Sequence, residues 1–445
     1  MSGVGVVRAL AIVAPGLLLA AADGPPPPPP PSAPPGAADT LTTVYDASGV
    51  RVIQRVSRAN DVVAMRLYLL GGTRQLTERT AGIEALLLRA ASYGSSQFPG
   101  EESHRALART GGTVTTEPEL DWTVFGFTGL VGDLDVAWHV VADRVMHPTL
   151  AEQDVSHARA ALLTAARRRY TEPDERLHAL AMQALFKDHP YALDPAGTET
   201  SLAALTTADL KAYLRDQVVT SRMLLAIVGN VTRAHVESLV TATLGQLPHG
   251  DYRWVLPPAA PPRRAHWLIE QRRIPTTYML GLFAGPSPTS HQYWAFRVAT
   301  ALLSSELNYA IRTERGLSYA AFAPYIEAAV PVGGAYVSTP KPDRVYPLMI
   351  QQIEELGARE LDFFVLSRFI DSFSFEYLAA NATAAGQADF LARAELYLGS
   401  YRTGEEFVKR LHDVSPSDIR RVVATYMPAI QYAYLGDTTR MHGHW

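Results

Sequence analysis

Any chemistry in this chain must come from its thirteen histidines, its carboxylates and its cations, because the sequence has no cysteine. That absence removes disulfide frameworks, thiolate zinc sites, iron–sulfur clusters and cysteine nucleophiles together. The histidines form neither H-x-x-E-H nor H-E-x-x-H, the two spacings that put paired imidazoles on one helix face for Zn²⁺. His442-Gly443-His444 could chelate stray metal weakly, but its place at the chain end reads as a frayed tail. No Gly-x-Ser-x-Gly is present, so a serine-hydrolase elbow has no support. Arg167-Arg168-Arg169 would suit an anion, yet Glu172, Asp174 and Glu175 follow at once, as on a solvated helix end. The net charge of −4 leaves no cationic excess for phosphates, so nucleic acid is not an expected partner.

The elements that would position such residues come next. A chain of 445 residues, 47% hydrophobic and 19% charged, predicts two or three domains with sizeable cores. Arg8 and the apolar run 9–22 have the parts of a secretory signal peptide, and the run is too short for a comfortable permanent span. We therefore expect a signal over 1–22 and a periplasmic or secreted protein, with a membrane tether by an uncleaved signal as the alternative. No later apolar run reaches spanning length, so no membrane contact beyond the signal is expected. Seven prolines, Pro25–Pro31, predict an extended spacer over 23–40.

From residue 41 the chain alternates strands and helices. Segments 51–56, 62–70 and 123–128 read as strands, and 132–146, 152–170 and 174–187 as helices. Thr206-Thr207-Ala208-Asp209 is echoed 209 residues later by Ser415-Pro416-Ser417-Asp418. Each is a carboxylate form of the capping box, followed by a helix and an apolar strand that ends at Gly229-Asn230 or Gly436-Asp437. The echo predicts an internal duplication, with halves at 41–250 and 266–445 joined by a proline-rich linker at 251–265.

Several stretches, in order, resemble the insulinase/pitrilysin family, especially bacterial members similar to mitochondrial processing peptidase. They are Gly111-Gly112-Thr113 before Asp121-Trp122-Thr123-Val124, His189-Pro190-Tyr191, Gly197-Thr198-Glu199, Leu205–Leu210 and Arg312–Tyr319. The resemblance covers about residues 41–440 and implies an α+β fold, an α/β sandwich of two homologous halves. Each half would be a mixed, mostly antiparallel sheet covered by helices, and the pair would form a clam-like chamber. Active members carry H-x-x-E-H on a helix and a further Glu on a later one. Here the two His positions hold Ala85 and Arg89, the general-base position holds Leu88, and the distal ligand position holds Ala165. Alanine and leucine offer no lone pair, and a guanidinium stays protonated. No metal is expected on this chain. Glu84 adjoins the motif in the wrong helical phase and reads as a helix-surface residue.

The resemblance also implies what remains. Arg312 and Tyr319, on the half opposite the zinc, would hold a substrate carbonyl and its developing oxyanion. Gly112, Thr113 and Val114 would offer backbone for a peptide to add as a strand. The glycine-rich turn usual in the family is replaced by Leu303-Ser304-Ser305-Glu306, and pairing of Arg312 with Glu306 or Glu314 is the plainer alternative. The expected function is a subunit not catalytic on its own, half of a two-chain zinc metalloendopeptidase acting on unfolded peptides. Zinc is then expected in a homologous partner that bears the motif. The rival is a structural scaffold or peptide-binding subunit of a larger assembly.

Overall fold

The computed structural model describes residues 41–258 and 264–441. The expected signal, the proline-rich spacer and the His442–His444 tail lie outside the described residues, as does 259–263 of the linker.

Two sheets organise the chain. In the first half β1 (Thr42–Ala47), β2 (Val50–Val56) and β3 (Val62–Leu70) lead to α1 (Ile83–Ala91) and α2 (Glu102–Thr110). Then come β4 (Thr113–Pro118), β5 (Trp122–Leu130), α3 (Leu134–Met146), α4 (Glu152–Thr171) and α5 (Pro173–Leu185). α6 (Glu199–Ala204), α7 (Thr207–Gln217), β6 (Met223–Gly229) and α8 (Arg233–Ala242) complete it. Their sheet runs β1-β2-β6-β3-β5-β4, with β2–β6 parallel and the other pairings antiparallel.

The second half repeats this plan. β7 (His266–Gln271), β8 (Thr277–Ala284) and α9 (Gln292–Leu307) are followed by β9 (Ala320–Phe322), β10 (Tyr325–Ile326) and β11 (Val332–Thr339). α10 (Pro342–Ala358), α11 (Phe363–Ala380), α12 (Ala384–Tyr397), α13 (Tyr401–Glu405) and α14 (Phe407–His412) come next, then α15 (Pro416–Tyr426) and β12 (Gln431–Gly436). The order is β10-β11-β8-β12-β7, with β9 also on β11. β12–β7 is its parallel pairing, as β6–β2 is in the first sheet. The echoed motifs are indeed matched caps: Thr206 and Ser415 each accept from the N–H of Asp209 or Asp418, at 3.1 and 3.2 Å. Each carboxylate returns the bond to the cap N–H, at 2.9 and 3.1 Å. Those hydroxyl and backbone donors, the hydroxyl first, hold both aspartates below the usual carboxylate range.

Each half gives a helix to the other. α5, from the first half, packs on β8, β12 and β7, and α12, from the second, packs on β6 and β3. Leu177 and Ala181 meet Leu282, Ala433 and Leu435 in one apolar cluster. Ala388, Leu391 and Ala392 meet Tyr68, Trp122 and Ala226 in another, where small alanines let α12 lie close to the strands. With helices on both faces, β6 is buried at every residue, which explains its unbroken apolar run. Polar pins cross the same seam. Asp121, buried after β4, accepts from the Tyr191 hydroxyl, the Tyr397 hydroxyl at 2.9 Å and the Ala329 N–H at 2.8 Å.

Candidate functional site

α1 begins at Gly82, whose φ of +83° and close approach to Gly197 both require glycine; a Cβ there would lie 2.6 Å from the Gly197 Cα. α1 packs on α4, which brings Ala85, Leu88 and Arg89 to the helix that carries Ala165. Ala85 is buried, Leu88 and Ala165 are half-buried, and Arg89 is exposed. Leu88 joins Leu107 and Val114 at the edge of the core, and the Arg89 guanidinium lies 6.0 Å from the Tyr93 ring centre. Arg89 also sits in the last turn of α1, where a cation suits the helix dipole. This donor set does not fit zinc: methyl groups, an isobutyl group and a permanent cation stand where three nitrogen or oxygen ligands are required. Among the described residues no group of three His, Cys, Asp or Glu could hold a metal ion.

Glu84 corrects the sequence reading. It is 2% exposed, not a surface residue. Its carboxylate accepts from the Thr123 hydroxyl on β5 and the Tyr213 hydroxyl on α7, with the Arg222 guanidinium 3.8 Å away. The phase that takes it off the metal face aims it inward between sheet and α7. Burial, then the Glu84 charge, push the Tyr213 phenol far above its usual range.

α2 ends at Gly111 with φ +62°, and the chain enters β4, which closes one end of the first sheet and pairs with β5 alone in that sheet. Gly112 leaves no room for a side chain, since a Cβ would lie 2.3 Å from the Phe127 ring. Thr113 is exposed and Val114 half-buried. Its short run of β-branched residues, largely solvent-facing and ending at Pro118, is that of a sheet edge.

At Leu303-Ser304-Ser305-Glu306 no glycine turn interrupts the chain. α9 runs straight into a π-helical turn, Asn308–Thr313, which carries Arg312. Such wide turns recur at functional sites. Gly316, at φ +58°, reverses the chain, and the Leu317 N–H returns to the Ile311 carbonyl at 2.9 Å. The Ser318 hydroxyl lies 2.7 Å from the carbonyls of both Ala320 and Ser338, and the Thr339 hydroxyl bonds the Leu317 carbonyl at 2.7 Å. The segment before Tyr319 is thus fixed, while Tyr319 itself is 85% exposed. The Arg312 guanidinium lies 5.0 Å from the Tyr319 ring centre. Glu306 pairs instead with Arg359 at 2.7 Å, and Glu314 with Arg315. Among the described residues no carboxylate takes Arg312. A forked cation and a phenol hydroxyl presented together to solvent can converge on one carbonyl oxygen.

The structure therefore brings Arg312 to Tyr319, and Ala85, Leu88 and Arg89 to α4, but on different halves. The sequence reading missed the buried Asp121 and Glu84 as fixed points, since only their tertiary neighbours mark them.

Comparison with known proteins bears on the family and the fold. Residues 51–199 match the model of the insulinase family (peptidase family M16), and residues 204–362 match that described as the peptidase M16 inactive domain. An uncharacterized zinc protease of Mycobacterium leprae is 27% identical over 62% of this chain, which spans 63% of that relative. The beta subunit of mitochondrial-processing peptidase from Blastocladiella emersonii is 22% identical over 58% of this chain and 55% of its own. A solved protease from Helicobacter pylori shares the fold at a TM-score of 0.82, with 16% identity, over 89% of this chain and 99% of that one. The chain belongs to the insulinase family, as a member whose zinc-motif positions hold no ligand.

Proposed function

We propose that this chain is the non-catalytic subunit of an exported two-chain zinc metalloendopeptidase. It binds an unfolded peptide and lends Arg312 and Tyr319 to the zinc site of a homologous partner. The observation that carries this reading is the pairing of a metal position without ligands with an exposed Arg312–Tyr319 couple that serves no ion pair among the described residues. Arg312 supplies a fixed positive charge and Tyr319 a hydroxyl donor, both aimed at the oxygen that gains charge as the peptide bond is attacked. The β4 edge, at Gly112, Thr113 and Val114, offers its outward backbone to an extended peptide, with the Gly112 N–H exchanging its bond to the Thr110 hydroxyl. A partner named as one subunit of a two-chain peptidase fits the kinship with the mitochondrial-processing peptidase beta subunit.

The test is peptide cleavage by the chain purified with a homologue that carries H-x-x-E-H. Arg312→Ala and Tyr319→Phe should each lower kcat by about 10²–10³ with the complex intact, the cost typical of losing one such donor. Full activity in both variants would remove the role, and would leave a scaffold or peptide-binding subunit as the reading.

A further inference from the structure

α11 has an outward face that its fold does not explain. Phe364 is 76% exposed, Phe375 73%, Val365 63% and Leu378 54%, with Phe363 at 60% just inside the helix start. They form two patches within about 21 Å of helix, Phe363 to Val365 at its start and Phe375 with Leu378 near its end, with the exposed Arg368, Asp371 and Ser372 between them. Soluble chains rarely leave so many large apolar side chains on one helix to water without a use for them. The duplication provides an internal control. α4 holds the same place in the first half, after β5 and α3 as α11 follows β11 and α10. Its outward residues include Gln153, Ser156, His157, Thr164, Arg167 and Arg168. The architecture is thus satisfied by a polar helix here, and the apolar face of α11 is an addition.

Its neighbourhood identifies the occupant. Glu306, in the last turn of α9, pairs with Arg359 just after α10. Phe363 follows four residues later, within about 14 Å of chain. On the other side of Glu306 lies the π turn with Tyr309, 60% exposed, and Arg312, facing Tyr319. α11 and the π turn both pack on α9, so a partner large enough to cover Arg312 and Tyr319 can also reach α11. Together these exposed side chains present roughly 800 Å², about what one subunit gives to a standard stable interface. A lipid surface is disfavoured, because the outward face carries only Arg368 where an interfacial helix bears rows of Lys and Arg.

We propose that the outward face of α11 is the docking surface for the zinc-bearing homologue, seating it so that Arg312 and Tyr319 face its metal. This rests on the function proposed above. The test co-expresses the full chain with the H-x-x-E-H homologue from the same genome. Assembly is read by gel filtration with light scattering, and activity by zinc-dependent cleavage of an unfolded peptide. Phe364→Asp with Phe375→Asp should weaken assembly at least 100-fold while the melting curve of the isolated chain stays put. Leu378→Lys should weaken it by a smaller factor, and Ala160→Asp on the outward face of α4 should change nothing. Arg312→Ala should assemble normally and lose cleavage. Normal assembly of the Phe364/Phe375 variant would overturn the docking surface, as would self-association, or vesicle binding by the wild-type chain, that this variant abolishes. If that variant dissociates the complex while Arg312→Ala cleaves normally, the oxygen-holding role falls and the surface stands. If the wild-type chain forms no complex with the homologue, both fall.

Discussion

The residues that most constrain this molecule are buried and charged, and they lie away from the family's catalytic positions. Asp121 gathers three donors from both halves. Asp121→Ala should cost about 3–5 kcal/mol, because truncation leaves buried donors unpaired. Tyr397→Phe should cost about 1 kcal/mol, since it removes one donor and leaves the carboxylate two others. Urea unfolding of the two variants and their double mutant would show coupling; strict additivity would mean that the hydroxyl and carboxylate do not act as a pair. Two histidines contribute to the pH dependence near neutrality. His178 on α5 is half-buried, its shielded Nε2 has no partner among the described residues, and desolvation, opposed by Asp194, lowers its pKa. His189 is lowered by burial and then by Arg74, and its Nδ1 accepts the Tyr191 N–H at 3.1 Å, which only neutral imidazole can do. Both folded values lie below the unfolded value of about 6.5. Their stabilisation is therefore complete above that pH and declines as pH falls toward the folded values, because the unfolded chain takes protons first. The urea midpoint should drop between pH 7.5 and 5.5, and by less in His178→Leu. An equal drop in both proteins would clear His178 of any part.

At the scale of elements, what was legible in the sequence was local. The Thr206 and Ser415 caps were visible because a capping box closes over four residues, and both form as read. β2, β3 and β5 were visible from alternation and β-branched content, whereas the β4 edge was expected only from the family resemblance at Gly111-Gly112-Thr113. The helix expected from residue 132 begins instead at Leu134, after a 3-10 turn at Val131–Asp133, and that expected to reach 187 stops at Leu185, before Asp188 turns to φ +68°. What could not be read was long-range. Glu84 looked like a surface carboxylate because Thr123, Tyr213 and Arg222 arrive from 39, 129 and 138 residues away. The empty zinc positions were legible as residue types, whereas the stacking of Arg312 on Tyr319 depends on the π turn and Gly316. The caps give a prediction at this scale. Thr206→Ala and Ser415→Ala should each cost about 1 kcal/mol, with the cost additive because the sites share no partner. Losses below about 0.3 kcal/mol would mean that neighbouring groups already satisfy those N–H donors.

For the whole molecule, the exchange of α5 and α12 decides how it can move. A linker between two self-sufficient halves would make a hinge. Here each sheet is covered on one face by a helix covalently attached to the other half, so separating the halves would strip both sheets at once. Burial of a large apolar side chain is worth about 1.5–3 kcal/mol. Leu177, Leu180, Leu185 and Phe186 on one side and Leu391, Leu396 and Tyr397 on the other therefore bind the halves more tightly than the total stability of many domains. In the two-chain complex proposed above, any opening that admits a peptide then falls between the chains, with this chain moving as one body. Cutting the linker between Pro258 and Arg264 should leave the pieces associated and unfolding in a single transition. Expressed alone, residues 41–258 should aggregate or stay partly unfolded, with α5 and the inner face of the first sheet uncovered. A monomeric first half that melts cooperatively within a few degrees of the intact chain would show that the exchange is ornamental and restore the hinge.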